Sequence, residues 1–389
     1  MRLIFEEDPH EPLREFLVVS MVIGFAIATR AFRTNSPTVS TSTASVAGSL
    51  NAAAPMRVPR SGHSATLLPD GKVLMAGGMR RNQDFYKSAE LFDPATGKFQ
   101  STGEMNQKRV GHIAVLLESG KVLVAGGWVG QGGTDSAELY DPATGKFTPI
   151  AKMTMPRGRP SARLLTSGDV LIAGGEKQDN ESLATAEIFH ASTLTFQPTG
   201  AMHHARISHT ATLLADGRVL VAGGYADRVA SGAELYDPRS GTFTETGSMG
   251  SARCKHTAGL LPDGRVRVAG GSDSRGWVRN LNTTEMYDPR TGKFTAASPM
   301  NDQRFKLPDE AVSLTSGSLL IAGGSKEAEI FDPEDGKFVA AAGQVAAAGQ
   351  MDERWHYMSE TRLRDGSVLL AGGYPNSDQA TAQTWIYRP

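Results

Sequence analysis

Residues 109–153 read RVGHIAVLLESGKVLVAGGWVGQGGTDSAELYDPATGKFTPIAKM, and the order of signals in this stretch decides the fold. Ile113 to Leu117 is a short apolar run, and Ser119-Gly120 turns it into a second run, Lys121 to Ala125, that stops at Gly126-Gly127. Asp-Gly takes the same turn at Asp70-Gly71, Asp216-Gly217, Asp263-Gly264 and Asp365-Gly366. Such dipeptides supply the positive φ angles of a tight hairpin. A third run, Ala137 to Tyr140, leads into Asp141-Pro142-Ala143-Thr144-Gly145. Proline at the second turn position, a closing glycine and an aspartate oxygen that caps amides describe another tight turn. Phe147 opens a fourth run that ends at Met153. The unit predicts four antiparallel strands.

The unit recurs. Ala-Gly-Gly appears with first glycines at Gly77, Gly126, Gly174, Gly223, Gly270, Gly323 and Gly372, at intervals of 49, 48, 49, 47, 53 and 49 residues. The fourth-strand aromatic precedes a methionine by six residues at Phe99, Phe147, Phe196, Phe243 and Phe294, and Phe338 to Met351 is longer by seven. Four-stranded units bury both faces only against their neighbours, and the closed solution is a β-propeller. The last copy ends on its third strand, Thr384 to Tyr387, whereas Leu50 to Met56 has the spacing of a fourth strand before the first copy. The expected fold is therefore all-β: seven four-stranded antiparallel blades, closed by an N-terminal strand that completes the last and removes two exposed edges.

Strands ending in Gly-Gly, a Tyr-Asp-Pro third strand (Tyr140, Tyr236, Tyr287, with Phe92 and Phe331 elsewhere) and a following aromatic residue resemble the Kelch repeat family, over residues 48–389. That resemblance implies a propeller of the galactose-oxidase central-domain type. Kelch members include protein-binding propellers, copper-radical oxidases and six-bladed sugar-acid epimerases, so it does not choose a function.

Lys and Arg number 40 against 41 Asp and Glu, a net charge of -1, and the charges are interspersed, which predicts no nucleic-acid surface. Cys254 is the single cysteine, so no disulfide framework and no multi-cysteine metal site is expected. Residues 1–33 read as a signal-like or membrane-anchor segment, 34–48 as a Ser/Thr-rich linker and 49–389 as the propeller. Phe16 to Thr29 is an apolar run short for a span and suited to a signal core. Acidic residues precede it and Arg30 and Arg33 follow, the reverse of signal-peptide order. Export or membrane attachment through residues 16–29 is expected, with cleavage left open; the localisation is secreted, periplasmic or membrane-anchored, and the propeller a monomer.

Strand order puts the short Asp-Gly and Asp-Pro turns on one face and the loops after Gly-Gly and after Met on the other. Those loops vary, which marks that face for recognition. Trp128, Tyr225 and Tyr374 follow Gly-Gly directly, the longest loop holds Arg275, Trp277 and Arg279, and blade one offers Arg80, Arg81, Phe85 and Tyr86. Aromatics and arginines suit a protein anchor or sugar stacking, and covering the sheet ends would use them too. The expected partner is a protein or a glycan.

Arg60, Arg109, Arg157, Arg206, Arg253 and Arg304 each lie four residues after a methionine; Glu90, Glu138, Glu187, Glu234, Glu285 and Glu329 recur on the third strands. Both signals fail together in blade seven, at Trp355 and Trp385. Joint loss predicts buried ion pairs repeated around the ring, with an anion-binding ring at the channel mouth as the alternative. His63, His112, His209 and His256 share one first-strand position, filled by Pro160, Asp309 and Met358 elsewhere. Equivalent residues of separate blades lie far apart, so no metal is expected there. Blade seven reads Arg354-Trp355-His356-Tyr357-Met358-Ser359-Glu360-Thr361-Arg362. His356, Tyr357, Glu360 and Arg362 make a candidate polar channel patch, with Trp355 a further candidate contact, or a local ion pair that adjusts this two-piece blade.

A copper-radical oxidase needs a Tyr-His order and a tyrosine beside its cysteine. Here the order is His356-Tyr357, and Cys254 lies between Arg253 and Lys255. The expectation is a non-catalytic extracytoplasmic propeller without cofactor, binding through its variable face. The alternative is an oxidase or sugar-modifying enzyme, galactose-oxidase-like, using blade seven.

Overall fold

The structure, a computed structural model, describes residues 48–130, 132–177, 181–274, 279–341, 351, 354–375 and 379–389. The propeller falls within the unit Val46–Pro389. The signal-like segment, and the linker up to residue 47, lie outside the described residues.

Apolar runs of four or five residues, interrupted by residues that demand positive φ, have one way to satisfy their backbone: short antiparallel strands joined by tight turns. Blade one shows the pattern. β1 (Ser49–Ala52) belongs to the last blade; β2 (Ser64–Leu67), β3 (Val73–Ala76), β4 (Ala89–Asp93) and β5 (Lys98–Ser101) pair in chain order. Six sheets follow that order, and in the seventh β1 pairs with Thr384–Arg388, Leu50 opposite Tyr387. The sequence placed this strand at Leu50 to Met56; the ladder ends at Ala52, and Ala53 N and Met56 N continue it with bonds to Thr384 O and Ala382 O (2.9 and 2.8 Å). No helix occurs among the described residues.

The second strand of each blade is buried on both sides. Its side chains meet those of the next blade, so that Leu74 and Ala76 share a core with Val122, Val124 and Tyr140. Third- and fourth-strand aromatics lie opposite one another and pack as tilted pairs, Tyr140 on Phe147 at 4.8 Å between centroids.

The glycine pair sits where neighbouring blades come closest. Gly174 has φ +65°, and a Cβ there would lie 2.5 Å from Arg206 O of the next crossover. The amide of the second glycine donates to that carbonyl in every blade: Gly78 to Arg109, Gly127 to Arg157, Gly175 to Arg206, Gly224 to Arg253, Gly271 to Arg304, Gly324 to Trp355, and Gly373 back to Arg60, at 2.7–2.9 Å.

The same crossover arginines turn their side chains into their own blades. Guanidinium nitrogens meet the carboxylates of Glu90, Glu138, Glu187, Glu234, Glu285 and Glu329 at 2.6–3.0 Å, and the side chains are buried. Each Nη1 also donates to a first-glycine carbonyl, from Gly77 O (2.7 Å) to Gly323 O (2.9 Å). The second carboxylate oxygen accepts the amide just after the methionine, as Thr154 N does to Glu187 (2.7 Å). Burial alone would raise the Glu234 carboxyl; the His203 amide and Arg206 outweigh it and hold it below its ordinary range. These positions form structural pairs. In blade seven Trp355 packs on Trp385 instead, at 5.8 Å between centroids, both buried.

Removing one partner strands the other's charge in a dry site, at a cost of about 3–5 kcal/mol. Arg157→Ala is expected to lower unfolding stability by that order in denaturant titrations. A loss no larger than that of an exposed control such as Arg239→Ala would refute the assignment.

Candidate functional site

Two residues beyond each crossover arginine, or beyond Trp355, the chain turns into the innermost strand. The residues there are Gly62, Gly111, Arg159, Ser208, Lys255, Lys306 and Tyr357, and all seven have left-handed backbones with φ between 51° and 59°. For the five non-glycines this costs on the order of 1–2 kcal/mol each. Scaffold hydrogen bonds hold the conformation: Gly62 N to Tyr357 O, Gly111 N to Gly62 O, Arg159 N to Gly111 O, Lys255 N to Ser208 O and Tyr357 N to Lys306 O, at 2.9–3.1 Å. These residues form an inner ring around the axis.

Residues just after Gly-Gly form an outer ring. Antiparallel bridges tie Met79, Trp128, Glu176, Tyr225, Ser272 and Tyr374 to Ser61, Val110, Gly158, Ile207, Cys254 and His356 on the crossovers. Blade six contributes Ser325, whose hydroxyl bonds Asp302.

The inner ring surrounds the mouth of an axial cavity of about 390 Å³ lined by all seven blades. Arg159 and the Tyr357 hydroxyl interact across this mouth, and burial pushes the phenol up to about 12, Arg159 acting in the opposite sense. Lys255 Nζ lies 6.0 Å from the Tyr357 ring centroid. Lys306 Nζ is over both Phe305 and Tyr374 (4.9 and 5.3 Å). Arg159 Nε and Nη2 both donate to Glu176 Oε1 (2.9 and 2.6 Å), which also accepts Trp128 Nε1 at 3.0 Å. Three cations, one carboxylate and four aromatic side chains thus occupy the two rings. Gly62 and Gly111 add no side chain of their own to one arc of the mouth.

Of the residues singled out from sequence, Trp128, Tyr225, Tyr374 and Tyr357 fall on these rings. Arg275 and Trp277 lie outside the described residues. Arg279 is exposed and pairs with Asp273 at 3.2 Å. Phe85 is buried, and Tyr86 lies under Arg60 at 5.4 Å. Trp355 is a core residue beside Trp385 and not a surface contact. His356 is buried between Phe305 and Tyr374, its imidazole held down to about 3 chiefly by burial. Arg362 donates to Ser313 O (3.0 Å) away from the cavity wall. The blade-seven patch is thus divided: Tyr357 and Glu360 line the cavity, while His356 packs behind it.

The four equivalent histidines are structural ties. Each Nε2 meets a hydroxyl of the preceding blade: His63 with Ser359, His112 with Ser64, His209 with Ser161 and His256 with Thr210 (2.8–3.1 Å). Burial, reinforced by Arg60 and Arg206, lowers His63 and His209 to about 3, so the rings are neutral. Asp309, expected at this position in blade six, is not their counterpart there. Leu307 is, since a Cβ on Gly270 would meet Leu307 Cδ1 at 3.2 Å just as one on Gly223 would meet His256 Cε1. Two extra residues between Arg304 and the Ser316-Gly317 turn displace Asp309, which instead faces Arg163 at 3.5 Å.

Arg159, Ser208, Lys255, Lys306 and Glu176 escaped the sequence reading. The signal was available: they stand at fixed offsets, two after the crossover arginine or one after Gly-Gly. A larger groove of about 450 Å³ lies on the turn face between blades three and four. Two of its carboxylates are already committed, Asp169 to His190 and Asp216 to Arg218.

Residues 119–154 and 253–301 match the Kelch motif. A solved structure described as "Structure of YjhT" is similar, with a TM-score of 0.58 at 13% sequence identity, over 74% of this chain and 98% of that one. At that identity the likeness concerns the fold. No curated protein matches.

Glu360 stands where other innermost strands carry Ala65, Ala114, Ala162, Ala211, Ala258 and Ala311. The inserted residues shorten the innermost strand of blade six to Val312–Ser313 and lean it on blade five, Ala311 N bonding Ala258 O (2.9 Å). Ala322 N is served instead by Glu360 Oε1 at 3.2 Å, while Oε2 is shut off from solvent. Burial pushes this carboxyl up from 4.5 to about 8. The folded chain keeps a proton that the unfolded chain gives up, so stability is lost as pH rises from about 4.5 towards 8. Glu360→Gln is expected to remove that contribution, so that its stability relative to the wild type rises between about pH 5 and about pH 8 in denaturant melts, while the slope of opposite sign from the neutral buried histidines stays common to both proteins. A difference between variant and wild type that does not change with pH would show that Glu360 is ionised in the folded state.

Proposed function

We propose that this Kelch-motif propeller binds an acidic glycan at the mouth of its axial channel, without catalysing a reaction on it. The observation that carries the reading is the inner ring. Arg159, Lys255 and Tyr357 hold strained left-handed backbones and line a cavity of about 390 Å³, with Lys306 in the same backbone ring. That volume lies within the usual range for small ligands. Backbone strain maintained by a scaffold is a pointer to function. The cations supply charge-assisted hydrogen bonds to a carboxylate, and Tyr357 on the cavity wall gives an apolar face of the kind sugar rings favour. A concave mouth suits a small ligand better than a protein surface.

Catalysis at the blade-seven wall is a second reading, and one observation favours it. A carboxyl held near 8 has the proton affinity of a general acid. Its Oε1 is engaged by Ala322 and its Oε2 is shielded, which puts it out of a ligand's reach. The binding reading is preferred for that reason.

Calorimetry with glucuronate and galacturonate against glucose and galactose tests the proposal. Uronates are expected to bind, neutral sugars to bind at least tenfold more weakly, and Arg159→Ala and Lys255→Ala each to weaken uronate binding by roughly tenfold to a hundredfold. Equal binding of neutral sugars, or no binding of either uronate, would overturn it.

We also propose an extracytoplasmic location, supported by the apolar run Phe16 to Thr29. Residues 1–47 fused to alkaline phosphatase, which folds to activity only where disulfides form, should give active enzyme. A silent fusion, with the protein present, would place the chain inside.

A further inference from the structure

Outer-ring positions hold Met79, Trp128, Tyr225, Ser272, Ser325 and Tyr374, and only blade three places a charge there, Glu176. An acid beside a site read as taking anions is a contradiction on electrostatics alone: at the mouth it opposes Arg159, Lys255 and Lys306. Its geometry resolves the contradiction. Glu176 is buried, and a single oxygen, Oε1, accepts Arg159 Nε, Arg159 Nη2 and Trp128 Nε1 at 2.9, 2.6 and 3.0 Å. Trp128 reaches it across Gly158, where a Cβ would lie 2.5 Å from the indole Nε1. The arginine stem then crosses the glycine arc, with a Cβ on Gly111 only 2.9 Å from Arg159 Cγ. Blades two and three thus fix both ends of one flexible side chain: its edge on the carboxylate, its stem over the glycine.

We infer that Glu176 is a positioning residue for ligand binding, holding Arg159 across the glycine arc of the mouth, with Trp128 locking Glu176 in turn. The inference rests on the acidic-glycan reading and adds a residue to it that the ligand itself does not touch. An untethered arginine samples many rotamers, and ordering it on binding weakens affinity; a buried carboxylate that orders it beforehand removes that cost.

The two possible roles of Glu176 predict opposite signs. If its charge merely repels anions, Glu176→Ala leaves the mouth more positive and uronate binds more tightly. If it positions Arg159, the same variant binds glucuronate more weakly, by about tenfold, despite the gain in positive charge. Glu176→Gln, whose amide oxygen still accepts from Arg159 and Trp128, should recover part of the loss. In an Arg159→Ala background Glu176→Ala should have no further effect, because the side chain it positions is gone. Should Glu176→Ala fail to melt cooperatively, the same cycle is run with Glu176→Gln. Tighter or unchanged binding, or full additivity in the double variant, overturns the inference while leaving the site reading intact if Arg159→Ala and Lys255→Ala still weaken binding. If those two variants bind like the wild type, the site reading itself falls.

Discussion

Six of the seven blades of this protein hang on a crossover arginine that faces two ways at once. Its carbonyl receives the second-glycine amide of the preceding blade, and its guanidinium reaches a glutamate and a first-glycine carbonyl in its own. The carbonyl of this crossover residue takes an inter-blade hydrogen bond at every junction, so blade spacing and tilt depend on it. The requirement explains two sequence features together. Glycine is needed because the incoming carbonyl leaves no room for a Cβ, and the glutamate because a buried guanidinium without a counter-charge is penalised. Blade seven meets the same spacing with two tryptophans, keeping the backbone bond from Gly324 to Trp355 and exchanging the ion pair for ring packing.

Because the crossover is fixed so firmly, the residues just after it are free to vary in chemistry and not in shape. Seven backbones adopt one left-handed geometry two residues later, whether the side chain is absent, as at Gly62, or long, as at Arg159. The scaffold imposes the conformation and the side chains occupy it. The mouth therefore combines a seven-fold backbone with a lopsided set of side chains, cations and a phenol on one arc and glycine on the other.

This division also accounts for what could be read without coordinates. Blade number, strand order and ring closure were legible because glycine pairs, turn dipeptides and methionine spacing are local constraints repeated seven times. The arginine–glutamate pairs were legible through their joint absence at Trp355 and Trp385. The mouth was only half legible. Trp128, Tyr225 and Tyr374 stood out as aromatics beside a glycine pair, but Arg159 and Lys255 look like ordinary surface charges until the left-handed turn aims them at the axis. Blade six misled for a physical reason: an insertion before the turn shifts residues counted backwards from it, so Asp309 seemed to hold the place that Leu307 fills.

Closure of the last blade pairs Leu50 with Tyr387, residues from opposite ends of the described chain. During synthesis the outer strand at 49–52 emerges first and its partner at 384–388 last. Six blades can each assemble from contiguous chain as they appear, but the seventh waits for residues 384–388. The nascent ring is thus an open arc with an unpaired edge at either end, and its late step is a long-range closure of the kind that folds slowly. Joining the mouth residues of blade seven to those of blades one to three is that same step. The axial mouth, with Tyr357 facing Arg159, is therefore complete only when the ring has become whole.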